Sequence, residues 1–128
     1  MAKRVLIVED HKDFRETVKN FLEGQNLDLQ ISEADSGEMG IGIAVKEKPD
    51  IILMDIRLPD MNGLEAASEI KKRIPECRII LLTMFETEAF RSVFKSNDIA
   101  AYIGKSELYD KLIPQVKEIL NQKGGDSS

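Results

Sequence analysis

Short runs of aliphatic and β-branched residues alternate with longer amphipathic segments along this chain. The short runs fall at residues 4–8, 27–34, 51–54, 78–82 and 99–103. Residues 5–8, 51–54 and 79–82 are apolar at every position, the pattern of strands covered on both faces. The segments between them carry helical spacing. Phe14, Val18, Phe21 and Leu22 form one stripe that stops near Gly24. A second helix follows Ser36, an N-cap residue type, although Gly40 and Gly42 each weaken it by about 1 kcal/mol relative to Ala. A third spans about residues 64–74 and is ended by Pro75, a fourth carries Ala89, Phe90, Val93 and Phe94, and the last carries Leu108, Leu112, Val116, Ile119 and Leu120. Pro114 lies inside that last pattern and removes a backbone donor. The helix therefore either kinks there or starts near Ile113.

Strand and helix in alternation predict right-handed crossovers, a parallel sheet and helices on both faces. Open sheets of this kind bind ligands beyond the carboxyl ends of their strands. The first run stops at Glu9-Asp10, the third at Asp55 and the fourth at Thr83, and Lys105 closely follows the fifth. Three carboxylates, a hydroxyl and an ammonium would meet on one rim. Clustered carboxylates repel unless a cation neutralises them, and an oxygen-lined acidic pocket suits Mg²⁺. A carboxylate is also a competent nucleophile toward phosphorus, and phosphoryl transfer asks for little beyond positioning and charge neutralisation.

Bulk composition narrows the classes. The chain has 128 residues, 42% hydrophobic and 32% charged, as expected of one globular domain. Its formal net charge of −5 argues against nucleic-acid binding by the domain itself. No apolar run is long enough for a signal peptide or a membrane span. Cys77 is the sole cysteine, so no internal disulfide forms, and a cytoplasmic location is expected. The domain is expected at residues 1–122, with 123–128 as a flexible tail or the start of a linker.

Five motifs occur in order: Val8-Glu9-Asp10, Pro49-Asp50-Ile51-Ile52-Leu53-Met54-Asp55, Leu58-Pro59-Asp60-Met61-Asn62-Gly63, Ile80-Leu81-Leu82-Thr83 and Ala101-Tyr102-Ile103-Gly104-Lys105. With them the chain resembles the response-regulator receiver domains of two-component signalling, from Lys3 to about Gln122. The resemblance implies a flavodoxin-like, doubly wound, five-stranded parallel sheet. Its strand order, 2-1-3-4-5, is the one known for this family and is not read from the spacing. The resemblance also implies that Asp55 is the phosphoacceptor for a sensor histidine kinase, a phosphotransfer protein or a small phosphodonor. Asp10, Asp55 and the backbone carbonyl of Arg57 would hold Mg²⁺, with Glu9 helping through a water. Lys105 would pair with Asp55 and then with the phosphoryl oxygens, Thr83 would move toward them, and Tyr102 would turn inward behind it. The rim of the fourth helix, fifth strand and fifth helix would address an output domain or partner protein, and a homodimer stays open. Such a domain is regulatory rather than a conventional enzyme, although it catalyses its own phosphorylation and dephosphorylation.

Each residue also has a plainer reading. Asp55 and the Glu9-Asp10 pair could merely cap loops or a helix, Thr83 could be an ordinary strand residue, and Tyr102 a fixed core aromatic. His11, the only histidine, receives no role. Met84 stands where receivers usually carry a small residue, so it is expected to slow attack by water on the phosphorylated state. Arg57 and Phe85 are candidates for tuning access. Ser106 replaces the usual proline and leaves the isomer of the preceding peptide bond open. One of Phe85, Phe90 and Phe94 is expected in the core and a second on a partner surface. An aspartyl phosphatase would need Asp-x-Asp after the first strand, and a flavodoxin-like electron carrier a Ser/Thr/Gly-rich first loop; Glu9-Asp10-His11 supplies neither. A docking module acting without phosphate is the remaining alternative. The Lys105-Ser106-Glu107-Leu108 run resembles receivers that precede helix-turn-helix DNA-binding domains, which hints at transcription regulation.

Overall fold

The computed structural model describes residues 2–84 and 98–125, with side chains as far as Asn121. In chain order the elements are β1 (Lys3–Val8), α1 (Lys12–Glu23), β2 (Leu29–Ala34), α2 (Gly37–Glu47), β3 (Ile51–Asp55), α3 (Gly63–Arg73), β4 (Arg78–Thr83), β5 (Ala101–Gly104), a 3₁₀ turn (Lys105–Glu107) and α4 (Leu108–Gly125). The strands are all parallel and lie in the order β2-β1-β3-β4-β5, as the family resemblance implied. The fourth helical segment expected from the sequence, with Ala89, Phe90, Val93 and Phe94, lies outside the described residues, as does Phe85.

Successive residues of a strand face opposite sides, and here each side feeds its own core. Leu6 and Val8 of β1, Ile52 and Met54 of β3, and Ile79 and Leu81 of β4 pack with Ala44 of α2 and Ala66, Ala67 and Ile70 of α3. Val5, Ile7, Ile51, Leu53, Ile80 and Leu82 point the other way, to Val18 and Leu22 of α1 and Leu112, Val116 and Ile119 of α4. This double cover is why the central strands lack alternation. All five residues of β3 are buried, so Asp55 ends a strand with no wet face.

Boundaries follow local chemistry. Ser36 caps α2 by accepting from Met39 N at 3.2 Å. Asn62 caps α3 by accepting from Leu64 N at 2.7 Å. β2 begins at Leu29 rather than residue 27 because Asn26 and Asp28 have φ of 56° and 53°, incompatible with an extended strand. Gly40 has a packing reason to be small: a Cβ there would meet Val8 Cγ2 at 2.8 Å, so its absence lets α2 seat on β1. Helix α4 begins at Leu108, well before Pro114, which rules out a start near Ile113. Its first turn is reached through the 3₁₀ turn, and no cis peptide bond occurs among the described residues. The bond before Ser106 is therefore trans.

Candidate functional site

Parallel pairing fixes which strand ends are neighbours. Val8 pairs with Met54, which brings Glu9 level with Asp55; Asp55 pairs with Leu82, and Thr83 with Gly104. The rim anticipated from the sequence thus forms. Glu9, Asp55 and Thr83 are the buried polar residues of the described chain. Lys105 reaches across from the end of β5, its Nζ 2.8 Å from Glu9 Oε1 and 3.4 Å from Asp55 Oδ2. Its shorter contact is to Glu9, a partner the resemblance did not assign it. The ammonium also stands 4.6 Å from the centroid of the Phe14 ring, a cation–π contact.

Glu9 is held from several directions. His11 N donates to Glu9 Oε2 at 3.0 Å, and His11 Nδ1 lies 3.2 Å from the same oxygen. Arg15 Nη1 donates to the Glu9 carbonyl at 2.7 Å while its Nε donates to Glu33 Oε1 at 3.1 Å. Sequence reasoning missed Phe14 because a helix stripe shows only which residues face inward, not what they meet, and Arg15 because it lies outside that stripe. It also missed Asp60, whose carboxylate accepts from Gly37 N at 2.8 Å and Glu38 N at 2.9 Å. These two N–H groups, Glu38 first, hold the Asp60 carboxyl below its ordinary range. They also tie the loop after β3 to the start of α2. That loop folds back through Gly63 N donating to Ile56 O at 2.7 Å. A Cβ at residue 63 would overlap the Asp55 carbonyl oxygen and lie 2.9 Å from Ile56 Cα, so only glycine fits beneath Asp55.

Two neighbouring acids respond oppositely to this setting. Burial, then the Glu9 charge, pushes Asp55 up from 3.8 to about 6, against the pull of Lys105 and the Arg57 N–H. Burial works against ionisation of Glu9 as well, but the Lys105 hydrogen bond and the His11 N–H outweigh it and hold Glu9 below its ordinary value. The ammonium satisfies Glu9 first, and Asp55 is left with its burial and the Glu9 repulsion, which Lys105 and the Arg57 N–H offset only in part. A cleft of about 460 Å³ opens beside this rim, with Asp55 and Lys105 within it and Phe14, Arg57 and Met84 around them. Met84 is 79% exposed. Tyr102 is half-buried against the core on the α2–α3 side.

The residues fit a small hard cation. Ligand atoms of Glu9, Asp10, His11 and Asp55 lie within 4.8 Å of one another. Asp10 Oδ1 is sealed from solvent and accepts no hydrogen bond, an orphaned oxygen that a metal ion would satisfy. Three carboxylates face one ammonium here, so a divalent ion would also relieve their repulsion.

A doubly wound parallel sheet with an acidic, cation-ready pocket at its carboxyl rim defines a flavodoxin-like α/β domain with two buried carboxylates, Glu9 and Asp55, where its strands end. Residues 5–117 match the model of the response regulator receiver domain, and the chain belongs to that family. Among its relatives are the transcriptional regulatory protein DegU of Brevibacillus brevis, 30% identical over 91% of this chain and 49% of DegU, and the response regulator protein VraR of Staphylococcus epidermidis, 37% identical over 83% of this chain and 51% of VraR. The chain therefore spans about half the length of these curated relatives. Among solved structures, the response regulator TrrA of Thermotoga maritima in complex with Mg²⁺-BeF superposes with a TM-score of 0.82 at 33% identity, covering 91% of this chain and 98% of that one. Receiver domains are regulatory components of two-component systems rather than metabolic enzymes, and they bind Mg²⁺ at an acidic pocket of this kind. Among the described residues no helix is long and apolar enough to cross a membrane.

Proposed function

We propose that this domain is a phosphorylation switch and that Asp55 accepts the phosphoryl group from a sensor histidine kinase, a phosphotransfer protein or a small phosphodonor. The observation that carries this reading is a nucleophile at a strand end, 3% exposed and 3.4 Å from an ammonium. A carboxylate oxygen of Asp55 forms the new bond to phosphorus as the donor's P–N or P–O bond breaks, and the leaving group departs with the electron pair. Lys105 is within reach to shift part of its charge from Glu9 to the incoming phosphoryl oxygens. Thr83, one strand over, would offer a hydroxyl to the same oxygens, and Tyr102 on β5 would follow it. Asp10, Asp55 and the Arg57 carbonyl would hold Mg²⁺, with Glu9 assisting; when bound, the ion supplies positive charge for the phosphoryl group.

The switch then acts by shifting a population between two conformations, read by an output domain or partner protein on the surface around β5 and α4. An output domain acting in transcription is supported by the name of DegU, a transcriptional regulatory protein, and by the share of the relatives' length this chain covers. We take residues 1–122 as the receiver unit, working in the cytoplasm. The test is intact mass after incubation with acetyl phosphate and Mg²⁺, for the wild type and Asp55→Asn. One added phosphoryl group on the wild type alone supports the reading. No added mass on the wild type under forcing conditions moves it to a docking module that acts without phosphate.

A further inference from the structure

His11 follows the two acids of the first loop and takes no part in the switch described above. Its backbone N–H binds Glu9 Oε2 at 3.0 Å, which holds the residue over the pocket. Its Nδ1 is 3.2 Å from Glu9 Oε2 and 3.4 Å from Asp10 Oδ1. An imidazole nitrogen thus stands against the one oxygen of the cluster that is closed to solvent and accepts no hydrogen bond. The ring is 73% exposed, so it can turn in place without disturbing the core.

We propose that His11 makes the pocket a mixed nitrogen–oxygen site that takes borderline divalent transition ions such as Co²⁺, Ni²⁺ and Zn²⁺ in preference to Mg²⁺. This rests on the reading that the acidic pocket is the cation site, and it concerns which cation. Carboxylates alone offer hard oxygen, which suits Mg²⁺. Imidazole suits Zn²⁺, Co²⁺ and Ni²⁺, and added nitrogen raises affinity along the series from Mn²⁺ toward Cu²⁺. Without a cation, an unprotonated Nδ1 facing Glu9 and Asp10 sets lone pair against lone pair, so the other tautomer donates to Glu9 instead. A metal ion between them reverses that preference and uses the nitrogen lone pair. Lys105 already engages Glu9 Oε1 at 2.8 Å, which leaves Asp10, Asp55 and His11 as the donors best free to close on the ion. Ambient transition metal could then compete with Mg²⁺ for the pocket beside Asp55.

The experiment uses untagged protein and titrates CoCl₂ and MgCl₂ calorimetrically into the wild type, His11→Ala and Asp10→Asn. The expected result is a fall of about tenfold or more in the ratio of Co²⁺ to Mg²⁺ affinity in His11→Ala, with both affinities reduced in Asp10→Asn. Because the chain has one histidine, ¹⁵N spectra with and without ZnCl₂ report on that ring alone, and Zn²⁺ should move one ring nitrogen to the position of a coordinated imidazole. An unaltered ratio in His11→Ala, or a ring spectrum indifferent to Zn²⁺, overturns the proposal while Mg²⁺ binding by the wild type keeps the cation-site reading intact. Binding of Co²⁺ that depends on His11, without measurable Mg²⁺ binding, supports the proposal and removes Mg²⁺ from the switch. Failure of both ions to bind the wild type overturns both.

Discussion

Replacing Asp55 with Asn should stabilise the metal-free domain, although it removes the residue on which the proposed function depends. The wild-type site holds Glu9 and Asp55 against one ammonium, and Lys105 makes its shorter contact with Glu9. Asp55 therefore ionises at a cost. The gap between 3.8 and about 6, at about 1.36 kcal/mol per pH unit, corresponds to about 3 kcal/mol. The sign follows from linkage. An acid whose pKa is raised on folding binds more protons in the native state across that interval, so stability falls as pH rises from about 4 to about 6 and stays low above it. Glu9, lowered on folding, acts the other way: its contribution is present above its unfolded value of 4.5 and is lost as pH falls through the folded one. The Asp55 effect should dominate above about pH 5.

Urea unfolding in EDTA, run near pH 5 and near pH 7.5, measures this directly. Asp55→Asn should gain on the order of 1–3 kcal/mol at the higher pH, or about 4 °C in Tm per kcal/mol for a chain of this length. The gain should shrink at the lower pH, where the wild type carries the proton. Saturating Mg²⁺ should narrow the gap from the other side, because it stabilises the wild type by mass action. A variant no more stable than the wild type at pH 7.5, or a gain identical at both pH values, would refute the reasoning that burial and the Glu9 charge make ionised Asp55 costly.

Lys105→Met keeps the alkyl stem near Phe14 but strands the fully buried Glu9 charge, so stability should fall by about 3 kcal/mol, read from the urea midpoint; an unaltered midpoint would mean Glu9 is not ionised by this partner. Gly63→Ala forces a Cβ onto the Asp55 carbonyl oxygen and should both lower Tm and slow phosphorylation by acetyl phosphate, measured by intact mass, because the backbone beneath the nucleophile must move. Met84→Ala should shorten the lifetime of the phosphorylated form, since an exposed thioether at the mouth of the Asp55 cleft hinders water. Equal decay rates for Met84→Ala and the wild type would remove that role.

The order of elements, the two-faced burial of the central strands and the set of residues on the rim follow from local pattern. Runs such as Ile51–Met54 are apolar at successive positions for one reason, cover on both faces, and that reason is visible in the sequence. The parallel topology then sends Glu9, Asp55, Thr83 and Lys105 to one edge without further information. Some boundaries were out of reach because they depend on single backbone angles. Asp28 closes off the start of β2 by a positive φ that no hydrophobic pattern encodes.

Partner choice within the rim is a tertiary matter. Which carboxylate Lys105 favours depends on ångström-scale reach across the strand ends, and the outcome, 2.8 Å to Glu9 against 3.4 Å to Asp55, decides which acid is comfortable ionised. Phe14 joins the site from a helix whose spacing says only that it faces inward, and Arg15 beside it lies outside that stripe. Gly63 appears in the sequence only as the end of a motif, and the clash a Cβ there would make with the Asp55 carbonyl oxygen is what explains its missing side chain. His11, beside Asp10 in sequence, gained significance only when its nitrogen was found against an oxygen with no other partner. Sequence periodicity determined where the chemistry lies, because burial acts on every residue of an element alike. The tertiary structure decided how the charges divide, because electrostatics depends on distances between residues far apart in the chain.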